Sequence, residues 1–427
     1  MPPLDPGLMR ALVMSVPILA TLALWLIRQP QGSQVTGLLL ATAWQIPPLL
    51  VLNALAPELG WWAFDAEGGL WFGVPIDLLI GWAFLWGAIP ALLPGRISPM
   101  WIGLGALGLD LLVIPLCRPI IQLSGPRWLL GEILCIAIAL MPGLLLARWT
   151  AERRNLQARA VLQAIGFGSL LLIALPAAIL TASGAGWEPM LQRPTWQTLL
   201  AGQVIAIFLG WGVSSAQELA VRGEGTPLPQ DPTRKLVFSG PYAYIANPMQ
   251  VSTALTLLVL GLLLESGPIA GAALMVVVFS AGLASWHEHL SMQERFGRLY
   301  ETWRASVRAW VPRWRPWVPL QSTLYYAEGC GPCEAVARFF SARSPVGLRL
   351  VPAQQHPGRD LDRLTYAPGD GAAEEEGVAA FARAMEHISL PWGLASSLIR
   401  LPVVVDFLQL VVDASGGGPR VVPRSAE

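Results

Sequence analysis

Charged side chains are scarce in this chain, and their signs cancel. Only 13% of its 427 residues are Asp, Glu, Lys or Arg, the formal net charge is zero, and Lys235 is the only lysine. A soluble globular protein has about 25% charged residues, so this composition indicates a membrane protein. Because the chain has no excess of positive charge, we predict no nucleic-acid partner.

Cysteine is also rare, with four residues. Cys117 and Cys135 lie in apolar runs, where thiols are usually inert core residues. The other two, Cys330 and Cys333, form one closely spaced pair. Two isolated cysteines and one pair do not make a disulfide scaffold.

Hydrophobic residues, by contrast, make up 54% of the chain, and its mean hydropathy is +0.52. They form apolar runs of nearly the length that spans a bilayer, about 17 to 25 residues. The first run is too long for a signal-peptide core and no Ala-x-Ala-like site follows it, so we expect a retained span. The nine predicted spans cover residues 8–27, 35–55, 71–93, 100–117, 128–147, 160–182, 197–216, 249–265 and 267–285.

The loop charges predict the orientation of these spans. The 148–159 loop carries four arginines, whereas the 56–70 loop carries three acidic residues and no basic one. Basic loops tend to stay in the cytoplasm. We therefore expect an integral protein of a bacterial inner (plasma) membrane, with its N-terminus outside and its C-terminal domain in the cytoplasm.

Three carboxylates, Asp77, Asp110 and Glu132, lie within or near predicted spans. An intramembrane carboxylate is a candidate functional residue. Pairing with a neighbouring helix explains such a residue equally well. A transporter-like use of the N-terminal spans therefore stays open as an alternative.

Two polar segments, at 236–249 and 287–307, flank the last two predicted spans. The short turn at 265–268 joins those spans as an antiparallel pair, so we expect the two segments to meet at one membrane face. Their aromatic, carboxylate and imidazole side chains could hold a polar cofactor beside a lipid-facing substrate.

These segments resemble the isoprenylcysteine carboxyl methyltransferase and phospholipid methyltransferase superfamily over about residues 200–312. Its signature runs Gly-x-Tyr-x-x-x-Arg-(His/Asn)-Pro, then a helical hairpin, then Glu-Glu. The resemblance implies S-adenosylmethionine as cofactor and a methyl acceptor that enters from the lipid bilayer, with Glu288 as a catalytic residue. It implies a cofactor pocket lined by Tyr242, Tyr244, Asn247, Pro248, Glu288 and His289.

The chain departs from the family pattern at four positions. Ala246 replaces the arginine, Gln250 replaces a later tyrosine, His289 replaces the second glutamate, and Ser306 stands where a basic residue is often found. Losing a guanidinium removes charge-assisted hydrogen bonds worth about 1.5–3 kcal/mol each. Two roles therefore stay open, an active methyltransferase for a lipidic or membrane-bound small molecule and an inactive methyltransferase-like membrane anchor.

The cysteine pair, Cys330-Gly-Pro-Cys333, follows a predicted strand at 322–327 and opens a predicted helix at 333–343. The positive end of a helix dipole lowers the pKa of a thiol there, and the second thiol can resolve a mixed disulfide. A zinc site would need two more ligands, and His356 and His387 do not have a zinc-site spacing. We predict no metal, and an inert cysteine pair stays open as the alternative to a redox dithiol.

The tail is similar to the DCC thiol-disulfide oxidoreductase family, small relatives of thioredoxin, over nearly all of residues 322–427. Beside the cysteine pair, the match rests on Leu324-Tyr-Tyr326 and Gly377-Val-Ala-Ala-Phe-Ala-Arg383. It implies that Cys330 attacks and Cys333 resolves, with a thiol or disulfide protein as partner. The pattern predicts further strands at 347–352 and 363–367 and helices at 377–388 and 393–411.

Together these features predict a polytopic α-helical membrane protein of about nine spans with a C-terminal α/β thioredoxin-like domain. Within the core region, residues 286–310 are expected to form one amphipathic helix. The predicted domains are 1–195 (transmembrane helices of unassigned role), 196–312 (methyltransferase-like membrane core), 313–321 (Pro/Trp linker) and 322–427 (dithiol domain).

Overall fold

The computed structural model describes residues 5–228 and 231–424, with the backbone alone for 283–289. The chain divides into two compact units. The first comprises Met1–Gln192 with Pro227–Pro232, and the second comprises Arg193–Thr226 with Thr233–Glu427. The predicted division into four domains stays a prediction.

The first unit is a set of apolar helices. Asp5 begins α1 by accepting a hydrogen bond from the backbone N–H of Leu8, with Pro6 in the first helical position, and Arg28 ends it. Asp5 satisfies an unpaired backbone N–H at the start of the helix, where Pro6 has no N–H to satisfy. The negative charge of Asp5 and the positive charge of Arg28 each lie at the end of the helix dipole that they stabilise. The helices are α1 Pro6–Arg28, α2 Ser33–Leu55, α3 Ile76–Leu92, α4 Pro99–Cys117, α5 Trp128–Ala151 and α6 Leu156–Ala182, followed by a single turn at Glu188–Leu191.

Four short strands in the loops of this unit were not expected from the sequence. β1 (Trp62–Phe64) pairs antiparallel with β4 (Ile121–Leu123), and β2 (Leu70–Trp71) pairs with β3 (Val74–Pro75). The rings of Trp61 and Trp62 lie against Gly131, where an added Cβ would come within 2.6 Å of Trp61. Strands of two or three residues carry too little alternation to be recognised in a sequence.

The second unit begins with α7 (Thr195–Val221) and the hairpin of α8 (Pro248–Leu263) and α9 (Gly267–Gly282). Gly261 permits a close approach of the hairpin helices, since a Cβ there would lie 2.6 Å from the backbone N of Ala270. The expected helix at 286–310 is shorter. It is α10 (Ser285–Ser306), and it is interrupted at Gly297, whose φ of +50° only glycine adopts readily.

The C-terminal part of this unit contains a four-stranded sheet in the order β6-β5-β7-β8. β5 runs parallel to β6 and antiparallel to β7, which is antiparallel to β8. Leu324 and Phe340 lie fully buried at the centre of its core. The strands and helices are β5 Ser322–Tyr326, α11 Gly331–Ser341, β6 Leu348–Pro352, β7 Thr365–Ala367, β8 Glu375–Glu376, α12 Gly377–Met385, α13 Leu390–Ile399 and α14 Val404–Val412.

The prediction of one helix at 393–411 was wrong. The chain bends by 89° between α13 and the helical segment that begins at Val404. Pro402 cannot continue α13 because it lacks a backbone N–H, and Val403 has a φ of +70°. Pro402 is visible in the sequence and was the available signal for this break.

Each of the nine predicted spans coincides with an apolar helix. Within the described residues, six helices are long and apolar enough to cross a membrane, and a seventh crossing is reached if the bent pair α13–α14 counts as one span. The other three, α3, α8 and α9, have 17 residues or fewer. The chain is an integral membrane protein, and nine spans stay a prediction.

Candidate functional site: the signature loop and the dithiol

The signature loop, residues 240–249, packs against the end of α10. Tyr242 lies in an apolar cluster with Trp303 and Val307, and the indole N–H of Trp303 donates to the backbone carbonyl of Tyr242 at 3.1 Å. The backbone N–H of Ala246 donates to the carbonyl of Arg308 at 2.9 Å. The α8–α9 hairpin thus brings the two polar segments together, as the sequence predicted.

Tyr244 points from this loop into the sheet-containing part of the unit. Its side chain is 1% exposed, and its hydroxyl donates to the carbonyl of Glu386 at 2.7 Å. Gly393 accommodates the ring, since a Cβ there would lie 2.5 Å from a ring carbon. Burial, with the nearby Glu386 carboxylate, raises the pKa of Tyr244. Its contact with a cofactor stays a prediction.

The remaining residues assigned to the pocket lie at the start of α8 and on α10. Pro248 is buried in the first position of α8, and Asn247, the partly exposed residue before it, makes no side-chain capping hydrogen bond. Glu288 and His289 belong to α10, but their side chains lie outside the described residues. Met292, one turn further along α10, packs against the cluster that contains Tyr242.

A buried network of ion pairs lies beside the signature loop. Arg383 on α12 donates to Glu218 near the end of α7 at 2.7 Å, and to Glu386 at 3.0 Å. Arg400 donates to Glu386 at 2.9 Å. Glu386 also accepts from the backbone N–H of Gly240, the first residue of the loop, at 3.0 Å. The network therefore joins α7, the loop and the C-terminal helices.

The charges of this network balance. Glu375 accepts from Arg383 at 3.0 Å and from Arg222 at 2.9 Å, so three carboxylates face three guanidinium groups. Burial alone would lower the pKa of Arg383, but Glu218, Glu375 and Glu386 raise it well above the usual value. Burial alone would raise the pKa of Glu375, but Arg383 and Arg400 lower it. Arg383 and Glu375 are therefore held in their charged forms.

Sequence analysis missed this network. Arg383 and Glu218 are 165 positions apart, so no local spacing connects them. The available signal was a lone carboxylate, Glu218, at the end of an apolar span, because such a charge requires a partner.

The dithiol lies where the sequence placed it. Cys330 is the residue before α11 and Cys333 lies in its first turn; both are free and partly exposed. The expectation of a lowered thiol pKa was wrong for Cys333. Burial, the hydrogen bond with Cys330 and the negative charge of Cys330 raise the pKa of Cys333 to about 11.

The tail histidines have other partners. His356 contacts Glu374 at 2.9 Å. His387 is buried between the carbonyl of Val346, at 2.7 Å, and the hydroxyl of Tyr366, at 2.9 Å. Among the described side chains, those of residues 5–228, 231–282 and 290–424, no group of three or more His, Cys, Asp and Glu is arranged to hold a metal ion.

The carboxylates of the first unit fall into two kinds. Asp77 is paired with Arg10 at 2.6 Å, which is the structural explanation considered for it. Asp110 and Glu132 are 3% and 4% exposed, and within the described residues Oδ2 of Asp110 and Oε1 of Glu132 have no hydrogen-bond partner. A transport role for them stays a prediction.

Comparison with known proteins agrees with part of this picture. Residues 196–298 match the family model of phospholipid methyltransferases. No curated protein and no solved structure matches the chain. The matched segment contains α7, the signature loop and the α8–α9 hairpin, and it ends within α10. This part of the chain is therefore similar to the phospholipid methyltransferases.

Proposed function

We propose that residues 196–312 form a membrane methyltransferase core that uses S-adenosylmethionine to methylate a lipidic or membrane-bound small molecule. The supporting observation is the packing of the signature loop on α10, where Trp303 donates to the carbonyl of Tyr242. It joins the two halves of the family signature within one compact unit. The family match over 196–298 supports the proposed reaction class.

The described residues fit one end of this cofactor. The N-terminus of α8, a 16-residue helix, makes no side-chain capping hydrogen bond, and its positive end suits the carboxylate of the amino-acid part. Asn247 would hold that end. Glu288 would attract the sulfonium. When bound, S-adenosylmethionine supplies an electrophilic methyl group to a nucleophile of the acceptor.

Tyr242 and Tyr244 have a positioning role in this proposal. Their side chains, 6% and 1% exposed, fix the loop against α10 and Glu386. The loop then keeps Asn247 at the start of α8 without reorganisation during turnover, which is the condition for effective positioning.

A transfer experiment tests the proposal. We expect label from methyl-labelled S-adenosylmethionine to enter a lipid or small molecule of the membrane extract in nanodiscs, and Asn247→Ala to lower transfer at least tenfold. Thr253→Ala is the matched control on α8, because Thr253 donates to the helix carbonyl of Met249. Equal transfer by the two variants, or no transfer by the native protein, would contradict the proposal.

We propose further that residues 322–427 act as a cytoplasmic thioredoxin-like thiol-disulfide oxidoreductase. The supporting observation is a dithiol at the start of α11, between two parallel strands of a mixed sheet ordered β6-β5-β7-β8. This order suits a thioredoxin-type sheet. The high pKa of Cys333 suits a resolving thiol that stays protonated until a mixed disulfide forms.

The proposed exchange transfers two electrons from the dithiol to a disulfide of a partner protein. The thiolate of Cys330 attacks a disulfide of the partner protein, forming a mixed disulfide and releasing one partner thiolate. Cys333 then attacks the sulfur of Cys330 and releases the second, so the domain is oxidised by two electrons and the partner is reduced. Cys333→Ser should trap the mixed disulfide, visible on a non-reducing gel, whereas Cys330→Ser should trap none.

The inactive-anchor alternative makes a different prediction. It keeps the exchange at Cys330 and Cys333 and expects no binding of S-adenosylmethionine. The two proposals therefore succeed or fail separately.

A further inference from the structure

The first unit contains a cavity of about 170 Å³ that the proposed function does not use. Its walls come from the start of α2, the end of α5, α6, and the two residues Leu228 and Asp231. The lining residues are mostly polar: Gly32, Ser33, Thr36, Thr150, Arg153, Arg159, Gln163, Leu228 and Asp231.

Three of these side chains are buried and carry polar atoms that have no hydrogen-bond partner within the part of the chain that the structure describes. Thr150, Arg159 and Gln163 are 4%, 2% and 1% exposed. The unpartnered atoms are Oγ1 of Thr150, Nε of Arg159, and both Nε2 and Oε1 of Gln163. Buried polar atoms are nearly always hydrogen-bonded, so four of them around one cavity indicate a polar occupant.

The charge of the cavity selects an anion. Arg159 pairs with Asp231 through Nη2, which leaves its Nε facing no partner, and Arg153 adds a second cation. The lining therefore carries a net charge of +1. The N-terminus of α2, a 23-residue helix that begins at Ser33 without a side-chain cap, adds the positive end of its dipole.

We propose that this cavity binds a phosphate group. Nε of Arg159, Nε2 of Gln163 and Oγ1 of Thr150 donate to the phosphate oxygens, and Oε1 of Gln163 accepts from a hydroxyl of the ligand. Hydrogen phosphate and the glycerol headgroup of an anionic phospholipid both offer this combination. The site would hold the phosphate at the arginine-rich 148–159 loop.

The test measures phosphate affinity of the purified protein in phosphate-free buffer. Inorganic phosphate is titrated into the protein in zwitterionic nanodiscs, and phosphatidylglycerol is added to a second set. Gln163→Leu, which removes the unpartnered amide at nearly constant volume, should weaken binding at least tenfold, since it removes a hydrogen-bond donor to a charged group. Arg154→Gln is the matched control, because exposed Arg154 pairs with Glu152 and does not line the cavity.

Binding of inorganic phosphate would identify a free anion as sufficient, and binding of phosphatidylglycerol alone would identify the lipid headgroup. Both results support the proposal when Gln163→Leu weakens binding and Arg154→Gln does not. Equal weakening by the two variants, or no binding of either probe, would overturn it. A higher melting temperature of Gln163→Leu, equal with and without phosphate, would indicate a cavity that holds only water.

A second inference concerns α14, and it rests on the second unit alone. Phe407 and Leu410 are 62% and 68% exposed and lie on one face of this helix, and Val403, just before its first residue, is 77% exposed. Leu398 and Leu401, just before the bend, lie against Gly210 of α7, where an added Cβ would be 2.4 Å and 3.5 Å from them. Gly210 is about 16 Å from the end of α7, inside its apolar part.

We infer that the bend between α13 and α14 enters the bilayer and that the apolar face of α14 contacts acyl chains. The continuity of this face with leucines that pack on a spanning helix favours lipid over a protein partner. The charged groups of this segment are Asp406, which is exposed in the first turn of α14, and Asp413 just beyond its end, which pairs with Arg363 at 2.6 Å. Such a helix lies in the interfacial plane.

Spin labels test this inference in nanodiscs, with Cys330 and Cys333 replaced by serine. A label at Phe407→Cys should be more accessible to oxygen than to a water-soluble nickel complex. A label at Ser341→Cys, at the exposed end of α11, is the control and should show the reverse. Equal accessibility of the two labels to nickel would overturn the inference.

Discussion

Arg383 and Glu218 lie 2.7 Å apart with side chains that are 1% and 3% exposed. Glu218 belongs to the segment similar to phospholipid methyltransferases, and Arg383 belongs to the sheet-containing region that carries the dithiol. A buried ion pair thus connects the two regions for which chemistry is proposed. With Arg400 and Glu386, the pair sets the position of the signature loop through Gly240.

Removing one partner of this pair should be costly. We expect Glu218→Gln to lower the free energy of unfolding by about 3–5 kcal/mol. It removes the negative charge that neutralises part of the positive charge of Arg383 and Arg400 in a buried site. Glu265→Gln breaks the exposed pair with Arg193 and should cost less than about 1 kcal/mol. Chemical denaturation of both variants checks the difference, and equal effects would contradict the central role of Glu218.

The contact between Gly393 and Tyr244 predicts an unusual glycine effect. Alanine normally stabilises a helix relative to glycine by about 1 kcal/mol. Gly393→Ala should instead destabilise the protein by about 1–3 kcal/mol, because its Cβ would meet the buried ring of Tyr244. Gly271→Ala on α9, with no atom within 4 Å of its Cβ, should be neutral or stabilising. Thermal unfolding that ranks the two variants in the opposite order would contradict the packing of Tyr244.

His387 predicts a loss of stability in mild acid. The carbonyl of Val346 can only accept, so Nδ1 of His387 donates to it and Nε2 accepts from the hydroxyl of Tyr366. Burial lowers the pKa of His387 below its ordinary value of 6.5. Below about pH 6.5, His387 binds a proton in the unfolded chain but not in the folded chain. The free energy of unfolding therefore falls as the pH drops below 6.5.

The expected slope approaches about 1.4 kcal/mol per pH unit for this one group. Melting temperatures of the native protein and His387→Asn between pH 7.5 and 5.5 measure it. The variant should be less stable at pH 7.5 and should lose less stability on acidification. Parallel curves for the two proteins would show that His387 does not titrate on unfolding.

The dithiol predicts a pH profile for alkylation. Since burial and Cys330 raise the pKa of Cys333 to about 11, only a small fraction of Cys333 is thiolate near neutral pH. Its rate of reaction with iodoacetamide, followed by mass spectrometry of the peptide, should rise about tenfold per pH unit between pH 7.5 and 9.5. A rate that levels off below pH 9 would contradict the raised pKa.

The sequence predicted those features that depend on local pattern. Apolar runs located the helices α1 to α9, because the hydrophobic length needed for a span is visible residue by residue. The signature loop and α10 were predicted to meet because a turn of a few residues at Glu265 leaves only an antiparallel hairpin. The dithiol was found from its spacing and the strand before it.

Features that depend on distant partners could not be predicted. Arg383 sits in a pattern typical of an amphipathic helix, and nothing near it in the sequence indicates Glu218. Tyr244 was assigned from its motif, whereas its hydroxyl contacts Glu386, 142 positions away. Pro402 is a local signal for the bend, but the continuous apolar pattern of 393–411 favoured the prediction of one helix.

The most direct test of the methyltransferase core is a calorimetric titration of S-adenosylmethionine into the purified protein, beside Glu288→Ala. Glu301→Ala is the control on the same helix, because Glu301 is exposed and accepts from Gln293 at 2.8 Å. We predict micromolar binding by the native protein and the control, and binding lost in Glu288→Ala. Absence of binding by the native protein would contradict the proposed core and favour a membrane anchor for the dithiol domain.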